Sequence, residues 1–415
     1  MADTLDRVIN DTQGAKMGDG REVPATSESS SSGRLVSLDA LRGMDMFWIL
    51  GGTTLVAQLI DYFQLHSLEW IKPHLEHVSW HGFSAHDLIF PLFIFIAGCA
   101  MPLSLGKRLT RGDSRLRLVF HVARRSALLI LFGLIYNGLL RLEWGSLRYP
   151  SVLGMIGLAY FWGAMVFLFF KPRGRLIVAG MILAAYCLAM FLYVYTIPLT
   201  STETNEAGGQ GATKQRLSFA EELTKDHNLV GAIDQRILPG RLHEGNFDPE
   251  GLLAMFPASV LAIIGSLAGL VLTCTSKPAA KKLLILVASG LVLLGIGWLW
   301  GQWFPINKKL WTSSFILFSA GWSLLLLAGF YLILDVCRLR KLFFPFVLIG
   351  MNSITIYMIA HKKLIDFSFL SNFFFGGAIR YAPEDLRPLL ATIGSLLFIF
   401  LFLWFLHRKK IYLRL

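Results

Sequence analysis

The amino-acid sequence predicts an all-α, polytopic integral membrane protein with about ten transmembrane helices. Three observations predict it. The 415 residues are 54% hydrophobic, with a mean hydropathy of +0.57, and no soluble core of this size needs so many long apolar runs. The runs recur at close to the roughly 20 residues that carry a helix across about 30 Å of hydrocarbon. Lys and Arg alternate in density from one loop to the next, as they do in membrane proteins.

Taken in order, residues 1–35 are polar, and Ser27 to Ser32 is interrupted only by Glu28. They lack the apolar centre of a signal peptide and read as a disordered cytoplasmic tail. Residues 36–415 form one transmembrane domain. Its spans fall at about 43–62, 87–106, 119–140, 150–170 and 176–197, then at about 251–274, 283–300, 311–335, 343–365 and 388–406. The long segment at about 198–250 is an outer loop. Within it, 201–247 is rich in Gly, Thr, Glu and His without a strong period, and reads equally as a lid or as a flexible connection.

The net charge of +12 invites a nucleic-acid partner, but its distribution argues against one. One set of short loops holds 20 Lys and Arg: 107–125, 171–175, 277–282, 338–341 and 408–414. The opposite, longer set holds 14. This bias places both termini and the basic loops in the cytoplasm. The loops around His77, at 198–250 and at 366–387 then lie outside. All four cysteines (Cys99, Cys187, Cys274, Cys337) sit inside or at the ends of spans, so no disulfide framework and no cysteine metal spacing is expected. The sole Asn-x-Ser/Thr triplet is Asn10-Asp11-Thr12 in the tail, which favours a bacterial inner membrane.

The chemistry concentrates at 74–93. His74, His77, His81, His86 and Asp87 stand directly before the uncharged run Leu88 to Leu105. Titratable groups at a membrane boundary are costly unless they face protein or water, so they mark a site. His77 and His81 are one helical turn apart, with Trp80 between them. Three readings stay open: an interfacial anchor with Trp80; a zinc site from His74, His77, His81 and Asp87, although no His-Glu-x-x-His pattern is present; or a histidine nucleophile or general base. At the other side, Arg42 and Asp45 are three apart and could pair. Arg42 could instead hold an anionic ligand, with Arg124 and Arg125 of the most basic loop supplying bidentate donors to phosphate. Ser37 or Asp39 could cap the first helix. Asp248 and Glu250 stand where the long loop enters the sixth span. They suit either a helix start or recognition of an amine or hydroxyls. Asn352 lies inside the ninth span and must find a partner there, either on another helix or on a carbonyl in a central tunnel. His361 lies near that span's outer end.

These residues belong to blocks that resemble a known family. They are Ser37-Leu38-Asp39-Ala40-Leu41-Arg42-Gly43, His77-x-x-Trp80-x-Gly82-x-x-x-x-Asp87-Leu88-Ile89-Phe90-Pro91, and Arg125-Ser126. Arg148-Tyr149-Pro150-Ser151-Val152-Leu153 and Phe247-Asp248-Pro249-Glu250-Gly251-Leu252-Leu253 follow. The last are Pro305-Ile306-Asn307-Lys308-Lys309-Leu310-Trp311, Gly350-Met351-Asn352-Ser353-Ile354 with His361, and Arg408-Lys409-Lys410-Ile411. In this order they resemble the heparan-α-glucosaminide N-acetyltransferase family and its shorter bacterial relatives.

The resemblance implies a multi-helix acetyltransferase that takes acetyl-CoA from the cytosolic side and acetylates a glucosamine amine on the far side. It aligns the family's active-site histidine with His77. On this reading Asp87 orients the imidazole or pairs with a cationic amine. Arg42, Arg124, Arg125 and Asn352 serve the donor, and Trp80, Asp248, Glu250 and His361 serve the acceptor. Asn352 or the Trp80 N–H could also stabilise the thioester oxyanion. Acetyl-CoA is a co-substrate, and no permanently bound cofactor or metal is expected. The partners are the amino sugar and the bilayer, and a homodimer is open to such a chain. The sequence departs from the family in four places: the animal enzyme's large luminal N-terminal domain is not expected, Gly154-Met155 stands at a family Gln-Arg pair, an apolar stretch at Phe47 to Leu50 replaces a polar Asn, and the connection from the first span to His77 is longer. Heparan sulfate is therefore a less natural acceptor than glucosamine, a chito-oligosaccharide or a cell-wall fragment. The competing functions are a secondary transporter of a sugar or small solute, which usually shows repeated halves that this chain lacks, and an O-acyltransferase acting on a surface glycan.

Overall fold

The computed structural model describes residues 35–196, 218–361 and 364–413. The tail at 1–34 and the stretch 197–217 of the long loop lie outside the described residues. Among the described residues there is no β-strand beyond one isolated bridge, Arg148 to Gly240, and the chain is a multi-pass bundle. Among the described residues nine helices are long and apolar enough to cross a bilayer. The first pairs α1 (Val36–Phe47) with α2 (Thr53–Tyr62) through a widened turn at Trp48–Gly52. Then come α3 (Ile89–Cys99), within a span that runs from Ala85 to Thr110, α4 (Arg115–Tyr136), α5 (Val152–Phe169) and α6 (Pro172–Thr196). A short helix α7 (Leu229–Ile237) lies in the long loop. The bundle resumes with α8 (Met255–Thr273), α9 (Ala279–Trp300) and α10 (Ser313–Tyr331).

The predicted ninth span is broken. It is α11 (Phe344–Met351) and α12 (Ser353–His361), separated at Asn352, whose backbone (φ −127°, ψ 30°) leaves the helical region. Its carboxamide donates to Ile411 O at 3.3 Å, giving the polar residue a partner where water is scarce. A second departure lies in the predicted outer loop at 366–387. It folds as α13 (Phe367–Tyr381), capped by Asp366 accepting from Phe369 N at 2.9 Å. This helix packs on the last one, α14 (Arg387–Arg408), through Ser371 Oγ donating to Ala391 O at 3.1 Å.

Burial sorts the helices into inner and outer ones. α3 and α8 are the most enclosed, while α9 shows most of its surface to the surroundings. Water cannot drive helices together inside a bilayer, so close packing of small residues does much of the joining. Gly265 and Gly269 illustrate it. A Cβ on them would lie 2.1 Å from Phe95 O and 2.4 Å from Cys99 O, so α8 meets α3 backbone to backbone. Hydroxyls add ties: Ser126 Oγ donates to Gly157 O at 2.8 Å between α4 and α5, and Ser313 Oγ donates to Leu183 O at 2.7 Å between α10 and α6.

Candidate active site

The turn that begins the second span sets the site. Ser84 caps the turn Ala85–Leu88 and Asp87 answers it, so Asp87 Oδ2 accepts from Ser84 N at 3.1 Å and lies 3.0 Å from Ser84 Oγ. The other oxygen, Oδ1, is 2.8 Å from His77 Nδ1. Asp87 is only 2% exposed, whereas the His77 side chain is about half exposed. A carboxylate can only accept, so Nδ1 carries the proton and Nε2 is left with its lone pair.

Lys308 joins this pair from 231 positions away. Its Nζ lies 3.0 Å from His77 Nδ1, 3.4 Å from Nε2 and 3.3 Å from Asp87 Oδ1. The loop that carries it is tightly held. Asn307 Oδ1 accepts from Leu310 N at 3.0 Å, Gly82 N donates to Ile306 O at 2.8 Å, and Trp311 Nε1 donates to Pro249 O at 2.8 Å. Burial lowers the Lys308 ammonium's pKa, against the opposing pull of Asp87. The His86 ring lies 4.3 Å from that of His77, and its Nδ1 is buried without a hydrogen-bond partner. The sequence places Lys308 in the Pro305 to Trp311 block without marking it as a site residue. Its signal was a pair of lysines, Lys308 and Lys309, in a loop on the side that the charge bias leaves poor in cations.

His74 and His81 do not join His77 and His86. His81 Nε2 lies 3.2 Å from Ala220 O, and its Nδ1 3.4 Å from Asn307 Nδ2; burial lowers its pKa, against the Ala220 carbonyl. His74 is exposed and its ring lies near Trp70. Among the described residues no three His, Cys, Asp or Glu side chains are grouped to hold a metal ion. Trp80 is turned away from His77: Nε1 donates to Leu223 O at 2.7 Å, and the ring meets Phe247 edge-on.

Asp248 and Glu250 share Arg148, one hundred positions upstream. Arg148 Nε and Nη2 donate to the two oxygens of Asp248 at 2.7 and 2.6 Å, and Nη2 also donates to Glu250 Oε2. Asp248 is fully buried. Burial would raise its pKa, but the Arg148 bonds and charge outweigh it and hold the carboxyl below its ordinary range. Glu250 goes the other way. Burial raises it to about 7, Arg148 opposes and the Asp248 charge adds to the rise.

One cavity of about 860 Å³ gathers the scattered candidates. His77, His86, Lys308 and Glu250 line it, and so do Asp39, Arg42 and Arg125. Phe90, Phe93 and Ile156 contribute apolar wall between them. Arg42 Nη1 lies 3.9 Å from Asp39 Oδ1, so the neighbour it meets is Asp39 and not Asp45; Asp45 is buried. Leu35, not Ser37 or Asp39, occupies the cap position of α1 and makes no side-chain cap. Arg125 stacks its guanidinium 4.6 Å above Tyr160, and its buried Nε has no hydrogen-bond partner. Arg124 is exposed and does not line the cavity. Asn352 is buried beside it, but its flanking residues Met351 and Ser353 form the lining. His361 ends α12, and its side chain lies outside the described residues. The wall also depends on a close crossing. A Cβ on Gly43 would lie 1.6 Å from Phe346 O, and one on Gly350 would lie 1.9 Å from Asp39 O, so α1 and α11 touch at their backbones.

Chemically, the cavity offers a basic imidazole with a fixed tautomer at one group of residues and two guanidinium groups at another. A family model described as a domain of unknown function (DUF5009) matches residues 34–195. The chain is also similar to the human heparan-alpha-glucosaminide N-acetyltransferase, at 28% identity across 98% of this chain and 64% of the human protein. The mouse heparan-alpha-glucosaminide N-acetyltransferase is similar at 28% identity across 87% of this chain and 59% of the mouse protein. The chain thus spans less than two thirds of the length of these relatives.

Proposed function

We infer, from a chain that is a relative of the heparan-alpha-glucosaminide N-acetyltransferases, that this protein is a transmembrane N-acetyltransferase moving acetyl from acetyl-CoA to the amine of a glucosamine-type sugar. The observation that carries the reading is the single cavity lined both by His77 and by Arg42 and Arg125. A donor with a phosphate-bearing nucleotide and a long neutral arm fits that layout. Its phosphates dock at Arg42 and Arg125, where guanidinium forks match phosphate oxygens. The arm runs along the apolar wall and brings the thioester to His77.

At His77 Asp87 holds Nδ1–H, so Nε2 presents its lone pair, with Lys308 Nζ 3.4 Å away. That nitrogen either takes the acetyl group as an acetyl-imidazole or removes the amine proton during direct attack. Glu250 is the lining carboxylate nearest in character to a counter-ion for the sugar's ammonium group. Asp248, fully occupied by Arg148, acts by holding Glu250's neighbourhood in place. The charge bias supports an orientation with the arginine side facing the cytoplasm and His77 outside, on which the reaction is a transfer across a bacterial inner membrane.

The test is transfer of labelled acetyl from acetyl-CoA to glucosamine by the purified protein in detergent or vesicles. Accumulation of labelled N-acetylglucosamine supports the reading. No labelled product with glucosamine or its short oligomers, from protein shown to be folded, overturns it.

A further inference from the structure

We propose that Lys308 is a catalytic residue, its ammonium group stabilising the oxyanion that forms on the thioester carbonyl during acetyl transfer. The proposal deepens the acetyltransferase reading and rests on it.

The geometry narrows the choice to this residue. A transfer site needs a donor aimed at the place where negative charge develops. The Trp80 N–H is directed to Leu223 O and the Asn352 amide to Ile411 O, and neither residue lines the cavity. Arg148 is occupied by Asp248 and Glu250. Of the cations that line the cavity, Arg42, Arg125 and Lys308, Lys308 is the one in contact with His77. Its ammonium has three N–H groups. Asp87 Oδ1 takes one. His77 Nδ1 takes none, because that nitrogen is itself a donor to Asp87, and Nε2, 3.4 Å away, can take a second. A third N–H remains for the cavity, within reach of an acetyl group that His77 Nε2 can also reach.

The local structure fits such a role. The Asn307 turn, the Gly82 to Ile306 bond and the Trp311 to Pro249 bond fix the loop on three sides, so little reorganisation is needed at the moment of reaction. The partial burial that depresses the ammonium's pKa also strengthens its field. A flexible surface lysine has neither property.

In the step, the attacking nitrogen, from the imidazole or the sugar amine, forms a bond to the carbonyl carbon. The carbonyl π pair moves to oxygen, and Lys308 donates an N–H to it. The pair returns, the carbon–sulfur bond breaks, and CoA leaves as a thiolate. Where the imidazole attacks first, the amine then adds to the acetyl-imidazole carbonyl, the bond from that carbon to Nε2 breaks and the imidazole is restored. On either route the proton lost by the amine, carried by His77, ends on the thiolate. Acetyl-CoA and amine become amide and CoA thiol, and nothing else is consumed.

The experiment uses the full chain in detergent. Lys308→Met should lower kcat per folded molecule by about 100- to 1,000-fold, with KM for acetyl-CoA within roughly threefold of wild type, alongside a lower Tm because the buried Asp87 loses one of its partners. Lys308→Cys, made in a background without the four native cysteines, should be inactive until 2-bromoethylamine rebuilds an amine at that position, and then regain most of its kcat. A purely structural lysine predicts a fall in the amount of folded protein with an unchanged kcat per folded molecule, and that result overturns the proposal. So does a Met variant with wild-type kcat. An inactive wild type would sink the acetyltransferase reading itself, and is told apart because Lys308 is intact there.

Discussion

One oxygen of Asp87 closes a helical turn and the other holds His77, so the tautomer of the imidazole is set by the same carboxylate that starts the span. His77→Ala should therefore cut acetyl transfer by about 100- to 10,000-fold while the protein still folds. His74→Ala, at an exposed ring, should stay near wild type. His81→Ala removes a tie to the 218–222 segment and should cost about 1 kcal/mol of stability and little transfer. Labelled-acetyl assays with Tm for each variant check all three, and wild-type turnover without His77 would remove its assignment. Donor binding separates adjacent arginines. Arg42→Gln and Arg125→Gln should raise KM for acetyl-CoA by roughly 10- to 150-fold. Arg124→Gln, on the exposed face, should not. Equal KM values in all three variants would remove the phosphate-binding role. Glu250 adds a pH dependence. Its folded pKa of about 7 lies above the usual glutamate value, so the folded state keeps a proton that the unfolded chain has shed. Stability then falls as pH rises toward about 7, and the ionised carboxylate is lost from the site as pH falls through it. If Glu250 holds the sugar's ammonium, KM for the amino sugar should rise as pH falls through about 7 in wild type. Glu250→Gln should show only the sugar's own titration, so superimposable profiles would remove Glu250 from acceptor binding.

At the scale of elements, the Arg148 pair holds the long loop to the bundle: Arg148 precedes α5 and Asp248 precedes α8. Arg148→Gln leaves the fully buried Asp248 charge without its partner, and breaking such a pair costs about 3–5 kcal/mol. A clear drop in Tm together with new protease cleavage within 218–250 is expected, and an unchanged Tm would show the pair to be dispensable. This pairing was not legible in the sequence, although both of its blocks were. A single chain without aligned relatives shows that Arg148 and Asp248 are notable, not that they meet across one hundred positions. The apolar runs were legible for a simple reason: in a bilayer the backbone must satisfy itself, so length and hydropathy nearly determine the helix. The rule failed where local polar chemistry intervenes. Asn352 interrupts the ninth run because its side chain finds Ile411 O, and α13 forms in an aromatic segment, Phe367 to Phe375, that lies between two spans and whose partner is the last helix. The site was legible in its parts. His77 and Asp87 stood out by type and position, while Lys308 reaches them only through the folding of a distant loop.

For the whole molecule, the cavity matters more than any one contact. A soluble acetyltransferase can take donor and acceptor through the same opening. Here the candidate phosphate-binding arginines are on α1 and α4 and the candidate base is in the loop before α3, and one cavity is lined by all three. If the charge bias sets orientation, donor and acceptor arrive from opposite faces. Single cysteines at Arg111 and Asp385, both exposed, report that orientation in a cysteine-free background. In vesicles, an impermeant thiol reagent should reach one position from outside and the other only after permeabilisation. With orientation known, labelled acetyl-CoA is supplied on the Arg111 face and glucosamine is confined to the Asp385 face. Labelled N-acetylglucosamine should then accumulate on the sugar's side, while acetyl-CoA supplied only on the Asp385 face should yield none. Product formed only when both substrates share a face would rule out transfer across the membrane. The two cysteines labelling from the same face would overturn the orientation on which that transfer depends.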